Sequence, residues 1–379
     1  MSSKPIRVGI IGASPTRGWA ANAHIPALKA LPQFELAAVC TTRQESAEAT
    51  AQKFGIPLAF ADWRRMMEQP EIDLVIVTVK VRAHRALVLA ALDAGKHVFC
   101  EWPLGLDSGE AAELLECAQR AGVRHMVGLQ GRVHPTLNHV RDLVERGHIG
   151  ELISCSLVSS LASWGPRLPA SEAYRADRAG GATGLTVPGG HSLDSLCHCL
   201  GAFRDVSALV TTQHKQTEII GTGEIVPVTS PDQVLISGTL VGGAVASIHI
   251  KADMAVPMGV RLEINGTEGD LLIQSVTAPG GDPVGIQRAE LLLTGARRGS
   301  RDYAEIAVPV EYNHVPATVP AGPPFYTAQL LVRLADAIRT GAEAHPNFAD
   351  ALANHQLLET IQRASDEGRR VAVDAGGVR

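Results

Sequence analysis

A chain of 379 residues with 45% hydrophobic and 19% charged side chains is long enough for two domains with sizeable cores and too apolar to stay disordered. Its formal net charge of −5 leaves no basic surplus to neutralise phosphates, which excludes a general grip on nucleic acid. No apolar run reaches bilayer-spanning length, and Met1-Ser2-Ser3-Lys4-Pro5 runs straight into a strand. The expectation is therefore a cytoplasmic protein with no membrane partner and with its six cysteines reduced.

Ile6, Val8, Ile10 and Ile11 form a short β-branched run that predicts a strand buried on both faces in the middle of a parallel sheet. Gly9 and Gly12 break it, and Gly12 suits a tight strand-to-helix turn whose free N–H groups face an anion. Counted from Gly12, the dinucleotide fingerprint G-x-G-x-x-G has Ser14 at its second glycine and Arg17 at its third, with Gly18 one residue late. The turn is longer than usual, so Ser14, Thr16 and Arg17 are expected to offer side-chain donors to phosphate. The alternative is a plain surface loop behind a core strand. Helices are then expected over 19–31, 44–54, 84–92 and 108–121, and strands over 34–40, 58–60, 73–79, 97–100 and 125–129. That alternation predicts a Rossmann-type doubly wound parallel sheet, a dinucleotide-binding domain over residues 1–130.

Beyond residue 130 the rhythm changes. A helix over 136–145 is followed by strands over 152–160, 206–212, 233–240, 244–250, 260–265 and 270–273, and amphipathic helices over 325–339 and 348–364 close the chain. This predicts an α+β domain over 131–379, with a large open, mostly antiparallel sheet, for substrate binding and oligomerisation. An exposed sheet face of that size commonly pairs subunits, so a homo-oligomer, dimer or tetramer, is expected.

The end of the second strand bears on the cofactor. An acidic residue there bonds the ribose 2′-hydroxyl of NAD, whereas a 2′-phosphate needs a cation and hydroxyl donors. This chain offers Thr41, Thr42 and Arg43, with no carboxylate before Glu45. NADP(H) is favoured and NAD(H) is the alternative; the competing reading is a solvated helix start capped by Thr42.

The segment Gly95-Lys96-His97-Val98-Phe99-Cys100-Glu101-Trp102-Pro103-Leu104 resembles the A-G-K-H-V-x-x-E-K-P motif of the glucose-fructose oxidoreductase and inositol dehydrogenase family, Gfo/Idh/MocA. The likeness continues through Val127-Gly128-Leu129-Gln130-Gly131-Arg132, through Gly147 to Leu152, and through Gly189-Gly190-His191-Ser192-Leu193-Asp194, which is similar to the family's G-x-H-x-x-D. Gly12-Ala13-Ser14, Gly18-Trp19-Ala20 and His24-Ile25-Pro26-Ala27 point to the branch of the fungal galactose-pathway repressor and its bacterial relatives. The resemblance implies cofactor contacts at Gly12, Ser14, Arg17, Gly18, Trp19, Lys80, His84, Glu101 and Pro103, besides Thr41, Thr42 and Arg43, and a cis bond between Trp102 and Pro103.

Three departures stand out. The family's lysine after Glu101 is Trp102, whose indole stacks and donates one hydrogen bond but cannot shuttle a proton. The acidic residue four places before the histidine is Val187, and the TPN-like segment reads Val79-Lys80-Val81, where Lys80 restores a positive charge.

Hydride transfer between an alcohol and a ketone needs a carbon held against the nicotinamide and a group that exchanges the hydroxyl proton. His191 is the proposed acid/base, because an unperturbed imidazole titrates near neutral pH. Asp194, three residues on, shares a helical face with it and is expected to bind a sugar hydroxyl or orient the ring. Glu101 and Trp102 complete the expected catalytic set. Arg132 is expected to fix Glu101 or the substrate, with a mere surface ion pair as the alternative, and Trp164 resembles a sugar-stacking lid residue, with packing as its alternative role. Cys197-His198-Cys199 makes a poor metal site, because alternate residues diverge around a helix, and no metal is expected. Asn265-Gly266-Thr267-Glu268-Gly269 reads as a turn between strands.

The leading expectation is an NADP(H)-dependent oxidoreductase acting on a small-molecule sugar or polyol. The alternative is a non-catalytic, nicotinamide-dinucleotide-binding regulator resembling the repressor. A third reading uses bound nicotinamide for transient oxidation in glycoside cleavage or epimerisation.

Overall fold

The computed structural model describes residues 4–276 and 285–374. The chain forms two compact units, one running up to Gln130 and including Asn313–Leu352, the other made of Gly131–Tyr312 and the chain from Ala353 on. The segment Asn313–Leu352, which the sequence reading assigns to the second domain, packs with the first unit.

In the first unit, strands β1 (Ile6–Ile11), β2 (Phe34–Cys40), β3 (Leu58–Phe60), β4 (Leu74–Val77), β5 (His97–Cys100) and β6 (His125–Val127) pair in parallel in the order β3-β2-β1-β4-β5-β6. Val8, Ile10, Leu74, Val75 and Ile76 are fully buried, as strands covered on both faces must be. The chain lays β2 and β3 to one side of β1 and β4, β5 and β6 to the other. Ligands of such sheets bind outside the strands' carboxyl ends at this reversal.

The crossover helices are α1 (Ile25–Ala30), α2 (Gln44–Phe54), α3 (Trp63–Met67), α4 (His84–Asp93) and α5 (Ser108–Ala121). The uninterrupted helix expected over 19–31 is instead a π-helical turn, Ala20–His24, running into α1, with the Ile25 N–H reaching back five residues to the Ala20 carbonyl. Pro26 has no N–H to give, so the donor that would lock the tighter register there is missing. The short α3 lacks a periodic stretch of its own; its start is set by Asp62, whose carboxylate accepts from the Arg64 N–H at 3.0 Å.

The second unit opens with α6 (Pro135–Glu145) and is built on a nine-stranded sheet. In chain order its strands are β7 (Leu152–Ser160), β8 (Arg167–Pro169), β9 (Phe203–Thr211), β10 (Gln216–Ile220), β11 (Ile225–Pro227), β12 (Gln233–Leu240), β13 (Val245–Lys251), β14 (Gly259–Gly266), β15 (Gly269–Val276), β16 (Glu290–Arg297), β17 (Ala304–Glu305) and β18 (Val371–Ala372). The large sheet runs β17-β16-β15-β14-β7-β13-β12-β9-β18 and is antiparallel except where β7 meets β13; β8, β10 and β11 form a separate small sheet. Strand β16 escapes a sequence reading because Glu290-Leu-Leu-Leu hides its alternation: Leu291 and Leu293 are buried while Leu292 faces out. Helix α7 (Gly190–Leu200) follows a second π-helical turn, Leu185–Gly189. The chain closes with α8 (Pro323–Thr340) in the first unit and α9 (Phe348–Glu367), whose first turn belongs to the first unit and the rest to the second. Among the described residues no helix is long and apolar enough to cross a membrane.

Candidate functional site

The first unit gathers its polar side chains at the carboxyl ends of β1, β2, β4 and β5. Gly12 ends β1 at φ +101°, where a Cβ would lie 2.6 Å from Val79 Cγ1 and 2.7 Å from the Thr78 carbonyl oxygen, so glycine alone lets the turn close against the exit of β4. Gly18 has φ +93° in open space, and Thr16 and Arg17 beside it are exposed. Ser14 Oγ is engaged within the turn, accepting from the Thr16 N–H at 3.4 Å, and Lys53 Nζ ties the loop to α2 by donating to the Pro15 carbonyl at 2.5 Å. Trp19 is half-buried where the loop enters the π-turn.

At the tip of β2, Thr41 Oγ1 and Ser46 Oγ both donate to the Arg43 carbonyl at 2.8 Å, which fixes the start of α2. Helix α2 begins after Arg43 with no side-chain cap, so Thr42 does not serve as one. The side chains of Thr42 and Arg43 are left exposed at the tip. Lys80 is exposed after β4. His84 is buried in the first turn of α4, with Nδ1 2.8 Å from the Pro103 carbonyl and Nε2 3.0 Å from the Val79 carbonyl. Both ring nitrogens lie against backbone carbonyls, so His84 braces the loops after β4 and β5. The Trp102–Pro103 bond is cis, as the family motif implies, and the indole is buried.

Glu101 directly follows β5. His24 Nε2 lies 2.5 Å from its Oε1, and Gln130 Nε2 donates to its Oε2 at 3.2 Å. His24 and Gln130, to which the sequence reading gave no role, hold the carboxylate. The signal for His24 is present in the sequence: it is the one strongly polar side chain on the helical face of Ala20, Ala23, Ala27 and Leu28, all buried.

The second unit presents His191. The π-turn before α7 is pinned by Thr183 and Thr186, each hydroxyl accepting the other's N–H at 2.8 and 3.1 Å, and Asn354 Nδ2 donates to the Gly190 carbonyl at 3.1 Å. The imidazole follows in the first turn of α7, buried, with Nδ1 lacking any hydrogen-bond partner. Burial, and then the charge of Arg288, push its pKa down to about 3, so the ring is neutral over the ordinary pH range rather than titrating near 7. Asp194 does not orient it: Arg132 holds that carboxylate through Nε at 2.9 Å and Nη2 at 2.8 Å. Gly131 makes the approach possible, because a Cβ there would sit 2.1 Å from Ser195 Oγ, which is itself bonded to the His191 carbonyl. Trp164 is buried with its Nε1 unpartnered and with the Arg175 guanidinium 5.1 Å from its ring centre, Arg175 pairing with Glu172 at 2.6 Å. Arg288, absent from the sequence reading because it stands in no motif, feels the charge of Arg175. Among the described residues no group of three or more His, Cys, Asp or Glu gathers as a metal site.

Residues 6–129 match the family described as Oxidoreductase family, NAD-binding Rossmann fold, and residues 135–275 match the Gal80p C-terminal domain. The chain belongs to the Gfo/Idh/MocA family, near its Gal80 branch. Among Gfo/Idh/MocA relatives, the galactose/lactose metabolism regulatory protein GAL80 of Saccharomyces cerevisiae is 28% identical over 72% of this chain and 67% of its own length. Levoglucosan dehydrogenase of Pseudarthrobacter phenanthrenivorans is 27% identical over 95% of this chain and 97% of its own. The crystal structure of an NAD binding oxidoreductase from Klebsiella pneumoniae has a TM-score of 0.83 at 26% identity, covering 98% of this chain and 99% of that one. The first unit is thus a dinucleotide-binding Rossmann fold of an oxidoreductase family. Its residues fit the group: a glycine cradle at the end of β1, exposed cation and hydroxyl at the tip of β2, and a fixed carboxylate after β5.

Proposed function

We propose that this protein is an NADP(H)-dependent oxidoreductase that moves a hydride between the cofactor and a carbon of a sugar or polyol, with His191 exchanging the hydroxyl proton. The carrying observation is the His191 ring in the first turn of α7, buried and unpartnered at Nδ1, on the same helix as the Asp194 that Arg132 holds. The bound nicotinamide supplies the hydride acceptor. The chain's own residues do the rest: Arg132 holds Asp194 ionised for sugar hydroxyls, Trp164 offers an apolar wall with an unspent N–H, and Thr42 and Arg43 receive the 2′-phosphate. Levoglucosan dehydrogenase, a sugar-named relative aligned over nearly the whole chain, supports a carbohydrate substrate.

The test is an absorbance assay at the reduced-cofactor band with NADP+ and a panel of sugars, anhydrosugars and inositols. At least one substrate is expected to turn over, and Arg43→Asp is expected to shift preference toward NAD+ by about tenfold or more, on the order of the 1–3 kcal/mol of a charge-assisted contact. Cofactor binding without turnover across the panel rejects the enzyme reading in favour of the regulator. That second reading is favoured by one observation, the Trp102 indole standing where the family's lysine would move a proton.

We also propose that the protein works in the cytoplasm as a homo-oligomer joined through the open face of the large sheet, where Leu209, Leu235 and Val245 are 56%, 40% and 57% exposed. Sedimentation should show a dimer or tetramer that Leu235→Arg dissociates; a wild-type monomer at micromolar concentration overturns this.

A further inference from the structure

The Glu101 carboxylate is the most firmly held polar group at the carboxyl ends of the parallel strands. Among the described residues its close partners are His24 and Gln130. Its own N–H donates to the Val77 carbonyl at 3.1 Å, and a Cβ at residue 128 would fall 2.3 Å from Oε2, so Gly128 is the space the carboxylate occupies. His24 is fully buried, fixed edge-on against the Phe99 ring at 5.0 Å and 83°, and its Nδ1 is buried with no partner.

That orphaned nitrogen bears on where the ring's proton sits. An imidazolium here would bury an N–H with no acceptor, whereas the neutral tautomer carrying its proton on Nε2 donates to Glu101 and leaves only a weak acceptor unmatched. Gln130 is also a neutral donor. The Cys100 thiol next to it is buried, which raises its pKa, so it brings no positive charge. Two donors, one on each oxygen, therefore hold the negative carboxylate in place.

The strand order says what that charge faces. With the pyrophosphate at the turn after β1 and the adenylate ribose at the tip of β2, the other half of a dinucleotide extends across the reversal toward β4 and β5. The oxidised nicotinamide ring is a cation and the reduced ring is neutral. We propose that Glu101 discriminates between the two redox states of the bound cofactor, retaining the oxidised form, and that His24 is the positioning residue that keeps this carboxylate aimed. This rests on the nucleotide-binding part of the function proposed above, and not on turnover of any sugar.

The experiment is calorimetric titration of the wild type, Glu101→Gln, His24→Leu and His24→Gln with NADP+ and with NADPH, without substrate. Glu101→Gln is expected to weaken NADP+ about tenfold while NADPH stays within about twofold, as removal of one charge near a cation in a partly shielded site requires. His24→Leu should shift the ratio of the two affinities in the same direction, and His24→Gln, which restores a neutral donor, should recover most of it. A role confined to packing would weaken both nucleotides together. If Glu101→Gln leaves the ratio unmoved while the wild type binds both forms, the inference falls and the oxidoreductase proposal stands; if the wild type binds neither, both fall. Should His24→Leu not fold, Glu101→Gln decides alone.

Discussion

Alanine at position 191 is expected to lower turnover by about a thousandfold while leaving NADP+ affinity within about twofold, the loss that follows when a positioned acid/base is removed. Two other imidazoles of the second unit are committed elsewhere: His134 donates Nε2–H to the Ala289 carbonyl at 3.0 Å while its Nδ1 accepts the Thr136 N–H, and His198 is engaged with Asn138. Lysine, the family's other proton carrier, is replaced by Trp102. The pH profile is the sharper half of the prediction. With burial and Arg288 holding its pKa near 3, His191 is the proton-accepting form throughout the usual range, and kcat/KM for alcohol oxidation should lack an acidic limb near 6.5 from this residue. Steady-state kinetics from pH 5 to 9 on wild type and His191→Ala check both points. Full activity in the variant removes the assignment, and a limb near 6.5 that vanishes with His191 contradicts the buried, desolvated ring.

The parallel sheet was legible because its strands are covered on both faces and read as unbroken apolar runs, with Ile6–Ile11, Phe34–Cys40 and His97–Cys100 bounded by glycine or polar residues. The π-turn at Ala20–His24 was not, since its cause is the missing N–H of Pro26 and a run of alanines reads as ordinary helix. Motif spacing singled out Glu101 in the first unit and Arg132, His191 and Asp194 in the second, but not the residues that hold them. The i, i+3 spacing does place His191 and Asp194 on one helical face, yet Arg132, 62 residues away in sequence from Asp194, takes the carboxylate. Glu101 likewise finds its partner 77 residues upstream in His24. Such pairings are made by the tertiary fold, and glycines 128 and 131 were readable only as a motif until the space each clears for a neighbouring side chain was visible.

Acid should destabilise the protein well before its carboxylates titrate. His191 is held down to about 3, and His125 and His134 to about 4, each chiefly by burial. A group whose folded pKa lies below its unfolded value near 6.5 binds more protons when unfolded, so stability is complete above about pH 6.5 and is lost as the pH falls toward the folded value. At pH 4.5 each such imidazole costs roughly 2.5 kcal/mol. The second unit carries two of them, for a loss of about 5 kcal/mol, and the first unit carries His125, for about half that. The carboxylates work in a lower window: Asp142, bonded by Tyr312, and Asp205, bonded by Arg370, are held below their ordinary value of 3.8, so their stabilisation is lost only beneath it. The two units need not unfold together, so the measurement is urea unfolding followed by both tryptophan fluorescence and circular dichroism at intervals from pH 7.5 to 4.5. The expected result is a falling midpoint that begins near pH 6.5, with His134→Gln losing its share of the slope. Midpoints that stay level down to pH 4.5 would mean that these rings take up protons in the folded state, and the tightly closed surroundings described for His191 and His134 would have to open to water.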